Sequence, residues 1–376
     1  MRIHFITEGG LARDGENADL PFLCAIVKRL VVAHEVTVVT LRQYPQPCRY
    51  TRLGAQVINV GIAPRGFHRL EPALRRWRLW RALRGTPPPD IVHAFWIGAG
   101  SNLAFDHPTA GTAPRVVYNA GGELIALEDI AYGGMRHPGG RSAAARAFRE
   151  ADVLLTGCEE AYLRIPATAK QRKLLPLYPD TTLFRRDAAA LAGQSGHVLT
   201  VANINRVKDP GTLLRAFAIA AERVPNARLT WCGLDTLNGE AQRLARDLGI
   251  SERVRFAGLV PYEELPAYYH EAQVYLQSSR HEGQGVAVCE AAAAGLALVG
   301  TEVGILRDLA TRRCALAVPP QDPQALGETL AHVLTKPDLR AELRRNAATW
   351  AATHTVEETV HGLETLYKDL IRKPRA

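Results

Sequence analysis

Three features of this sequence predict an α/β protein made of two doubly wound, parallel-sheet domains. Its 376 residues exceed one ordinary domain, and about 150 residues per domain suggest two. Short apolar runs rich in β-branched residues alternate with helix-length segments almost throughout, as in parallel strands joined by helices. The alternation breaks once, at the small and polar residues 185–197, after which a new series begins with a strand.

The apolar runs define the strands of each domain. In the first domain the predicted strands are RIHFIT, EVTVVTL, AQVINVG, DIVHAFW, RVVYNA and ADVLLTG. In the second domain they are HVLTVA, ARLTWCG, RVRFAGLV, AQVYLQS and LALVGT. The amphipathic segment TVEETVHGLETLYKDLI near the end predicts a helix. We therefore place the domains at 1–188 and 189–355, with the terminal helix at about 356–376.

The composition is that of a folded protein, with 47% apolar and 22% charged residues. The opening residues MRIHFITEGG contain no apolar run of the length that a signal peptide or a membrane span needs, so we expect a cytoplasmic protein. Six cysteines are scattered singly and lack the spacing of metal ligands. We expect them to be reduced core residues, and we expect no metal.

Positive charge is concentrated in the first half of the chain. Residues 1–190 contain 25 Lys and Arg against 17 Asp and Glu, whereas residues 191–376 contain 21 of each. Such a surface favours an anionic partner such as a phosphorylated ligand, an acidic membrane face or nucleic acid. No base-reading motif accompanies the charge, so nucleic acid is not expected.

The densest positive charge lies at residues 65–85. On a helical wheel the arginines of this stretch interleave with its leucines and tryptophans, and no clean face emerges. This predicts a packed helix with snorkelling arginines. Peripheral contact with an anionic membrane, at the inner membrane face, is the alternative.

Ligands of doubly wound sheets bind at the carboxyl ends of the strands, so the strand-to-helix loops are the places to look for function. After the first strand, Gly9 and Gly10 would let backbone amides approach a phosphate or a sugar, unless they only form a tight turn. The later stretch FWIGAGSNLA imitates a dinucleotide-binding fingerprint. It has Leu103 in place of the third glycine, so a nicotinamide cofactor is not expected.

In the second domain, Arg206 and Lys208 follow the first strand and precede a helix. Together with helix amides, two cations at this position could hold a pyrophosphate. The alternative is a pair of solvated surface charges.

A second loop of this kind is SRHEGQG, which lies between the strand AQVYLQS and the helix VAVCEAAAAG. It contains Glu282, and Gly283 and Gly285 keep it thin enough for a ligand to contact the backbone. Glu290 lies about one turn into the helix. A buried carboxylate needs hydrogen-bond donors, and hydroxyls of a sugar or ribose would supply them. The alternative is a partly exposed glutamate that bonds a local arginine.

The segment HEGQGVAVCEAAAAG resembles the E-x7-E signature of the retaining glycosyltransferases of family 4, which have the GT-B fold. The resemblance covers nearly the whole chain through the ordered segments EGG, AHEVTVVT, DIVHAFW, GGELIALEDIAYG, NINRVKD, CGLDT, RVRFAGLV and GTEVG. It implies that the first domain binds an acceptor and the second a nucleotide-diphosphate sugar, UDP- or GDP-linked, on either side of a cleft. It also implies that the terminal helix returns to the first domain.

Residue by residue, the resemblance implies a donor site in the second domain. Glu282 would lie by the donor sugar, and Glu290 would hold the ribose hydroxyls. The amides of Gly285 and Val286 would meet the sugar and the diphosphate. Lys208 would neutralise the leaving group, so that no metal is needed.

The first domain would complete the site in the same family pattern. Gly10 would approach the donor phosphates from that side. On the acceptor side the candidates are Gly9, Glu123 and His93, which we place at the end of its strand.

Three departures from the family pattern stand out. Asn203 occupies the position of a usual arginine, so Arg206 would replace that arginine or phosphate binding would be weaker. Ala120 replaces a common histidine that contacts the donor sugar. Gln284 stands where an aromatic residue is frequent, which bears on the choice of sugar.

The predicted function is transfer of a hexose-type sugar, with retention, to a hydroxyl of a glycan, a lipid-linked acceptor or a small molecule, in polysaccharide or glycoconjugate biosynthesis. Another enzyme of the same fold, such as a sugar-nucleotide epimerase or a phosphorylase, is one alternative. A catalytically degenerate sugar-nucleotide-binding protein, suggested by Asn203 and Ala120, is the other.

Overall fold

The computed structural model describes residues 1–14, 16, 19–61, 71–185 and 196–372. The chain divides into two compact units, which we call the N-terminal domain (Met1–Leu177 and Val356–Ala376) and the C-terminal domain (Tyr178–Thr355). The predicted boundary at 188/189 lies outside the described residues. The structure divides the chain earlier, after Leu177.

A mostly parallel sheet forms the centre of the N-terminal domain. Its strands are β1 (Arg2–Thr7), β2 (Glu35–Thr40), β3 (Cys48–Arg52), β4 (Ala55–Asn59), β5 (Ile91–Phe95), β6 (Arg115–Asn119), β7 (Val153–Thr156) and β8 (Arg172–Leu174). Within the described ranges their order is β3-β4-β2-β1-β5-β6-β7-β8, and every pair is parallel except β3 with β4. The strand order reverses between β1 and β5, so the loops after these two strands flank a crevice where ligands of such sheets bind.

Helices cover both faces of this sheet, because its central strands are apolar on both sides. They are α1 (Pro21–Leu30), α2 (Glu71–Ala82), α3 (Ala99–Phe105), α4 (Pro138–Glu150), α5 (Glu159–Leu163) and the last helix of the chain, α13 (Val356–Arg372). Phe5 faces the core formed with α1 and α13, whereas the next residue, Ile6, faces the core formed with α2, α3 and α4.

The terminal helix α13 is part of the N-terminal domain. Leu363 and Tyr367 are buried in the core that it shares with α1 and the sheet. An ion pair of 2.8 Å joins Arg29 to Glu357, and His34 Nε2 lies 2.8 Å from Glu364 Oε1. The chain therefore returns to its first domain after completing the second.

A wholly parallel sheet forms the centre of the C-terminal domain as far as the structure describes it. Its strands are β9 (His197–Val201), β10 (Arg228–Cys232), β11 (Val254–Gly258), β12 (Val274–Gln277), β13 (Ala297–Thr301) and β14 (Ala315–Val318). Their order is β11-β10-β9-β12-β13-β14, which reverses between β9 and β12. The predicted α/β class with two parallel-sheet domains is thereby confirmed.

The helices of the C-terminal domain connect these strands and cover the sheet. They are α6 (Pro210–Arg223), α7 (Glu240–Asp247), α8 (Leu265–Glu271), α9 (Val286–Ala293), α10 (Gly304–Thr311), α11 (Pro323–Thr335) and α12 (Pro337–Thr353). Across the described residues of both domains, no helix combines the length and the apolar character needed to cross a bilayer.

A pair of buried histidines lies in the N-terminal domain. His4 Nδ1 and His107 Nε2 are 3.1 Å apart, and the two residues are only 2% and 5% exposed. Burial, with a contribution from Arg2, lowers the pKa of His4 to about 4. Burial, with a contribution from His4, lowers the pKa of His107 to about 3. Both imidazoles are therefore neutral at pH 7.

We expect the N-terminal domain to lose stability as the pH falls from about 6.5 towards 4. In the unfolded chain both histidines take up protons near pH 6.5, whereas in the folded chain they resist protonation until about pH 4 or 3. The stabilisation that the two neutral histidines provide is therefore complete above pH 6.5. By pH 5, protonation of each histidine in the unfolded chain lowers the free energy of unfolding by up to about 2 kcal/mol. Urea unfolding between pH 5 and 8 should show a shallower pH dependence for His4→Gln/His107→Gln than for the unmodified protein. The exposed His361→Gln is the control, and equal slopes in all three proteins would contradict the assignment.

Candidate functional site

The reversal of strand order in the C-terminal domain selects two loops. Because β9 and β12 are neighbours whose connections leave in opposite directions, a crevice opens beyond their carboxyl ends. The loops there are 202–209 and 278–285. Lys208, Ser279 and Glu282 line one pocket at this place.

Hydrogen bonds tie the two loops together. The amide of Arg280 donates to the carbonyl of Val207 over 2.8 Å. The hydroxyl of Ser278 donates to the carbonyl of Lys208 over 2.7 Å. Thr301, at the end of β13, donates to the carbonyl of Ser279 over 2.6 Å. The backbone on both sides of the pocket is thus fixed by the chain itself.

Local capping holds Lys208 in place. Its amide donates over 3.1 Å to the side chain of Asn205, which caps a single 3₁₀ turn. The following Asp209 has a φ of +48° and caps α6, its carboxylate accepting from the amide of Thr212 over 3.1 Å. Two consecutive caps therefore set the direction in which the Lys208 side chain leaves the loop.

Lys208 and Glu282 form an ion pair in the pocket. Lys208 Nζ lies 2.6 Å from Glu282 Oε1, and the hydroxyl of Ser279 donates to the same oxygen over 2.6 Å. The side chains of Lys208 and Glu282 are 24% and 11% exposed. A lysine ammonium has three donors and a carboxylate accepts several bonds, so both groups keep capacity for a ligand. The pair can bind a phosphate on one side and hydroxyls on the other.

Gly285 and Val286 place a helix end beside this ion pair. Gly285 has a φ of +100°, which favours glycine, and it is the residue from which α9 starts at Val286. The first amides of a helix have no partner within it and form its positive end. Both residues line the pocket with Lys208 and Glu282, so these four predicted residues come together.

Gly304 supports the same loop and was not predicted. It has a φ of +57°, and a Cβ on it would lie 2.4 Å from the carbonyl oxygen of Gln284 and 2.6 Å from Glu282 Cβ. The next amide, of Ile305, donates to that carbonyl over 2.7 Å. Only glycine lets α10 approach the loop this closely. The segment GTEVG contains the signal, but its role depends on a contact that the sequence does not reveal.

Glu290 is buried and receives its donors from within the domain. It is 4% exposed, and the hydroxyls of Tyr269 and Tyr262 lie 2.8 and 3.2 Å from its carboxylate oxygens. Burial raises the pKa of Glu290 to about 7, against the lowering effect of the tyrosine hydrogen bonds. The predicted need for donors is met within the domain by two tyrosines and not by a local arginine, and contact of Glu290 with ribose hydroxyls stays a prediction.

Three predicted donor-side residues do not line the pocket. Arg206 lies 3.2 Å from Glu240, and both side chains are about half exposed, at 57% and 47%. Asn203 accepts from the amide of Leu234 over 3.0 Å. Gly283 is buried inside its loop and does not line the pocket. Of the two predicted cations, Lys208 is thus the one turned towards Glu282.

In the N-terminal domain, Gly9 and Gly10 follow β1 at the reversal of strand order. Gly10 has a φ of +103°, and a Cβ there would overlap Leu20. The amide of Gly10 donates to the side chain of Gln43, and a Cβ on Gly9 would lie 2.9 Å from the same oxygen. The turn is therefore closed by its own domain, and contact between Gly10 and a donor phosphate stays a prediction.

Glu123 and His93 occupy different environments. Glu123 lies in the loop after β6 and accepts from the amide of Gly121 over 2.8 Å, while its Oε1 is buried without a hydrogen-bond partner among the described residues. Burial raises the pKa of Glu123 to about 7. His93 lies in the middle of β5, not at its end, and is fully buried with its Nδ1 2.6 Å from the Tyr367 hydroxyl. Its position does not support the acceptor-side role expected for it.

Two family models match the chain. The model described as "Glycosyl transferases group 1" matches residues 184–350, and the "Glycosyl transferase 4-like domain" matches residues 21–168. The D-inositol 3-phosphate glycosyltransferase of Corynebacterium urealyticum is 35% identical over 46% of this chain and 43% of its own length. The chain thus spans less than half the length of that relative and of two others from the same genus.

A further curated relative aligns over more of the chain. It is the GDP-mannose-dependent alpha-(1-6)-phosphatidylinositol monomannoside mannosyltransferase of Mycolicibacterium smegmatis, 27% identical over 69% of this chain and 72% of its own length. Among solved structures, sucrose-phosphate synthase from Thermosynechococcus elongatus has a TM-score of 0.81 at 21% identity and covers 98% of both chains. WaaG, a glycosyltransferase involved in lipopolysaccharide biosynthesis, has a TM-score of 0.72 at 18% identity and covers 97% of this chain and 99% of its own. These structures share the fold.

We expect Glu290→Gln to change how stability depends on pH. Because burial raises the pKa of Glu290 from 4.5 to about 7, its stabilising contribution is complete below pH 4.5 and is lost as the pH rises to about 7. Glutamine removes this loss. The stability of E290Q relative to the unmodified protein should therefore be higher at pH 8 than at pH 5, by on the order of 2 kcal/mol. The exposed Glu263→Gln is the matched control, and denaturant unfolding measures both. A difference between E290Q and the unmodified protein that does not vary with pH would contradict the burial of this carboxyl group.

Proposed function

The chain belongs to the glycosyltransferases of family 4 and has their GT-B fold, and from this premise we propose that it transfers a sugar, with retention, from a nucleoside diphosphate to an acceptor hydroxyl. The observation that carries the proposal is the Lys208–Glu282 pair, 2.6 Å apart at the strand-order reversal of the C-terminal domain. It offers a cation for the diphosphate and a carboxylate for sugar hydroxyls beside a helix end.

The diphosphate is the group whose charge grows during transfer. We assign its neutralisation to Lys208 Nζ and to the first amides of α9, which line the same pocket. Positioned donors of this kind act most strongly where charge develops, and a half-buried site strengthens them. In this scheme they do the work of a divalent cation, and the proposed reaction is independent of metal.

The transfer step balances without a protein nucleophile. The bond between the anomeric carbon and the diphosphate oxygen breaks, and its electron pair leaves with the diphosphate. The acceptor oxygen then bonds the oxocarbenium-like carbon on the same face, and its proton passes to the departing phosphate oxygen. Glu282, held by Ser279, positions the sugar through its hydroxyls. The products are a glycoside of retained configuration and a nucleoside diphosphate.

We propose an acceptor that carries phosphate. Residues 1–190 hold 25 basic against 17 acidic residues, so the half of the chain that contains the proposed acceptor domain favours an anion. The names of several relatives contain a phosphorylated or phosphatidyl compound. An inositol phosphate, a sugar phosphate and a phosphatidylinositol-type lipid all satisfy this condition.

A second candidate is a protein that binds sugar nucleotides without turning them over. The side chain of Arg206 favours this candidate. It pairs with Glu240, so it does not replace the arginine that Asn203 lacks. Such a protein would bind the donor normally, but neither transfer nor slow hydrolysis of the donor would occur.

Alanine substitution of the two predicted cations should separate their roles. Lys208→Ala removes the cation of the pocket and should lower kcat/KM on the order of 10²- to 10³-fold, the usual cost of one preorganised charge. Arg206→Ala removes a cation that pairs outside the pocket and should stay within a few fold. Steady-state kinetics with the preferred donor and thermal unfolding of both variants measure this. Equal losses in the two variants, with unchanged melting temperatures, would overturn the assignment of Lys208.

A panel of UDP- and GDP-sugars should identify the donor by thermal shift. Binding to the folded chain stabilises it by RT ln(1 + [L]/Kd), so a donor at 100 times its Kd raises the free energy of unfolding by about 2.7 kcal/mol. With that donor we expect a product of retained anomeric configuration by NMR and full activity in EDTA. An inverted product would reject retention, and loss of activity in EDTA would reject metal independence. Donor binding without any transfer or hydrolysis would select the binding protein instead.

A further inference from the structure

The helix α2 presents an unusual combination of side chains to solvent. Among the described side chains of α2, the exposed ones recur at the spacing of one helical face and comprise Ala73, Arg76, Trp77, Trp80 and Arg81. Together with Arg84, which is exposed two residues beyond the end of the helix, we call them the α2 outer face. Trp77 is 50% exposed and Trp80 is 48% exposed. Two large aromatic rings so open to water mark a surface with a partner.

The opposite side of the helix fixes this orientation. Leu79 and Leu83 are fully buried, in a core shared with Ile6, Ile58 and Val92 of the sheet. The helix therefore cannot rotate to cover its tryptophans without exposing these leucines. The outer face is a permanent feature of the N-terminal domain.

The tryptophans and arginines are arranged as one surface. At 100° per residue Trp77 and Trp80 lie near the middle of the exposed arc, with Arg76 and Arg81 at its edges. The guanidinium of Arg81 lies 5.6 Å from the centre of the Trp77 ring, and that of Arg84 lies 5.4 Å from the Trp80 ring. The prediction of a packed helix is confirmed for its inner side by the buried Leu79 and Leu83, while its outer side carries tryptophans and arginines together.

Among the described side chains, few acidic groups compete for these arginines. Asp106 lies 4.0 Å from Arg76, but the same carboxylate is bonded by Arg146 at 2.8 and 3.3 Å. The face thus keeps a positive field, in the half of the chain that holds the whole excess of positive charge.

We propose that the α2 outer face docks on the surface of an anionic phospholipid bilayer. Tryptophan is the residue that prefers the headgroup region, because its ring is apolar and its N–H needs a polar partner. Arginine binds phosphate in a planar, two-point geometry. The tryptophan rings at the centre of the face would reach the boundary of the acyl chains. The guanidinium groups at its edges would lie in the phosphate layer.

Vesicle binding by the full chain tests this without any need for turnover, so its outcome is independent of the proposed transfer activity. We expect co-sedimentation with vesicles of phosphatidylcholine and phosphatidylglycerol at low salt, weaker binding at high salt, and little binding to phosphatidylcholine alone. The triple variant Arg76→Gln/Arg81→Gln/Arg84→Gln should bind the anionic vesicles roughly 100-fold more weakly, since each arginine near such a surface contributes about fivefold.

The matched control removes the same charge elsewhere. Arg246, Arg312 and Arg345 are exposed in the C-terminal domain, and their triple replacement by glutamine should leave binding within a few fold, through net charge alone. A loss equal to that of the α2 variant would overturn the proposal, because it would show that net charge and not this face binds.

The tryptophans give a second, independent measurement. Brominated lipids should quench the fluorescence of Trp77 and Trp80 in the unmodified protein, because Trp231 and Trp350 are buried and Trp96 is half-buried. Trp77→Ser/Trp80→Ser keeps the charge and the buried leucines, yet should lose both the quenching and most of the vesicle binding. Unquenched fluorescence in the bound protein would overturn the proposal. The proposal would also be overturned if the protein bound an acidic polysaccharide, or self-associated through α2, and did not bind vesicles. Either result would assign the α2 outer face to a different partner.

Discussion

The backbone bond from the Arg280 amide to the Val207 carbonyl, 2.8 Å long, is the contact on which the candidate donor site depends. β9 and β12 are adjacent, but their connections leave the sheet in opposite directions, so nothing in the topology alone brings the two loops together. This bond and the Ser278 hydroxyl on the Lys208 carbonyl close the gap. Lys208 can then meet Glu282 at 2.6 Å in a pocket where either charge alone would be costly.

The two carboxyl groups with raised pKa values have different roles because their surroundings differ. Glu290 and Glu123 both have a pKa of about 7 through burial. Glu290 is satisfied by Tyr262 and Tyr269 and holds α9 to the neighbouring α8, so it supports the helix end of the donor site from inside the core. Glu123 leaves Oε1 unsatisfied among the described residues. A proton or a donor from a ligand satisfies such an atom, which makes Glu123 the better candidate for ligand contact.

The apolar runs predicted as strands cover most of the described strands but not the edge strands β3, β8 and β14. β3, the antiparallel edge strand, reads CRYTR and has no apolar run to mark it. Likewise, the strand-to-helix loops identified Lys208 and Glu282, since their positions follow from topology. The direction of Arg206 depends on Glu240, which comes from α7, and the role of Gly304 depends on its contact with Gln284. These contacts are tertiary, and neither composition nor spacing contains them.

The orientation of α2 likewise depends on tertiary contacts that the sequence does not contain. The same helix connects the proposed membrane surface with the proposed acceptor site. On a wheel its leucines and tryptophans count as one apolar class, whereas in the fold Leu79 is buried and Trp77 is exposed, so the distinction comes from the sheet beneath. Since α2 connects β4 to β5 and these strands are parallel, it runs from the carboxyl edge of the sheet back to its amino edge. Its first turns therefore lie towards the edge that carries the loops of Gly9 and Glu123. The outer face runs the length of the helix, so a bilayer held against it would also lie beside that edge of the domain, where we propose that a phosphorylated acceptor binds.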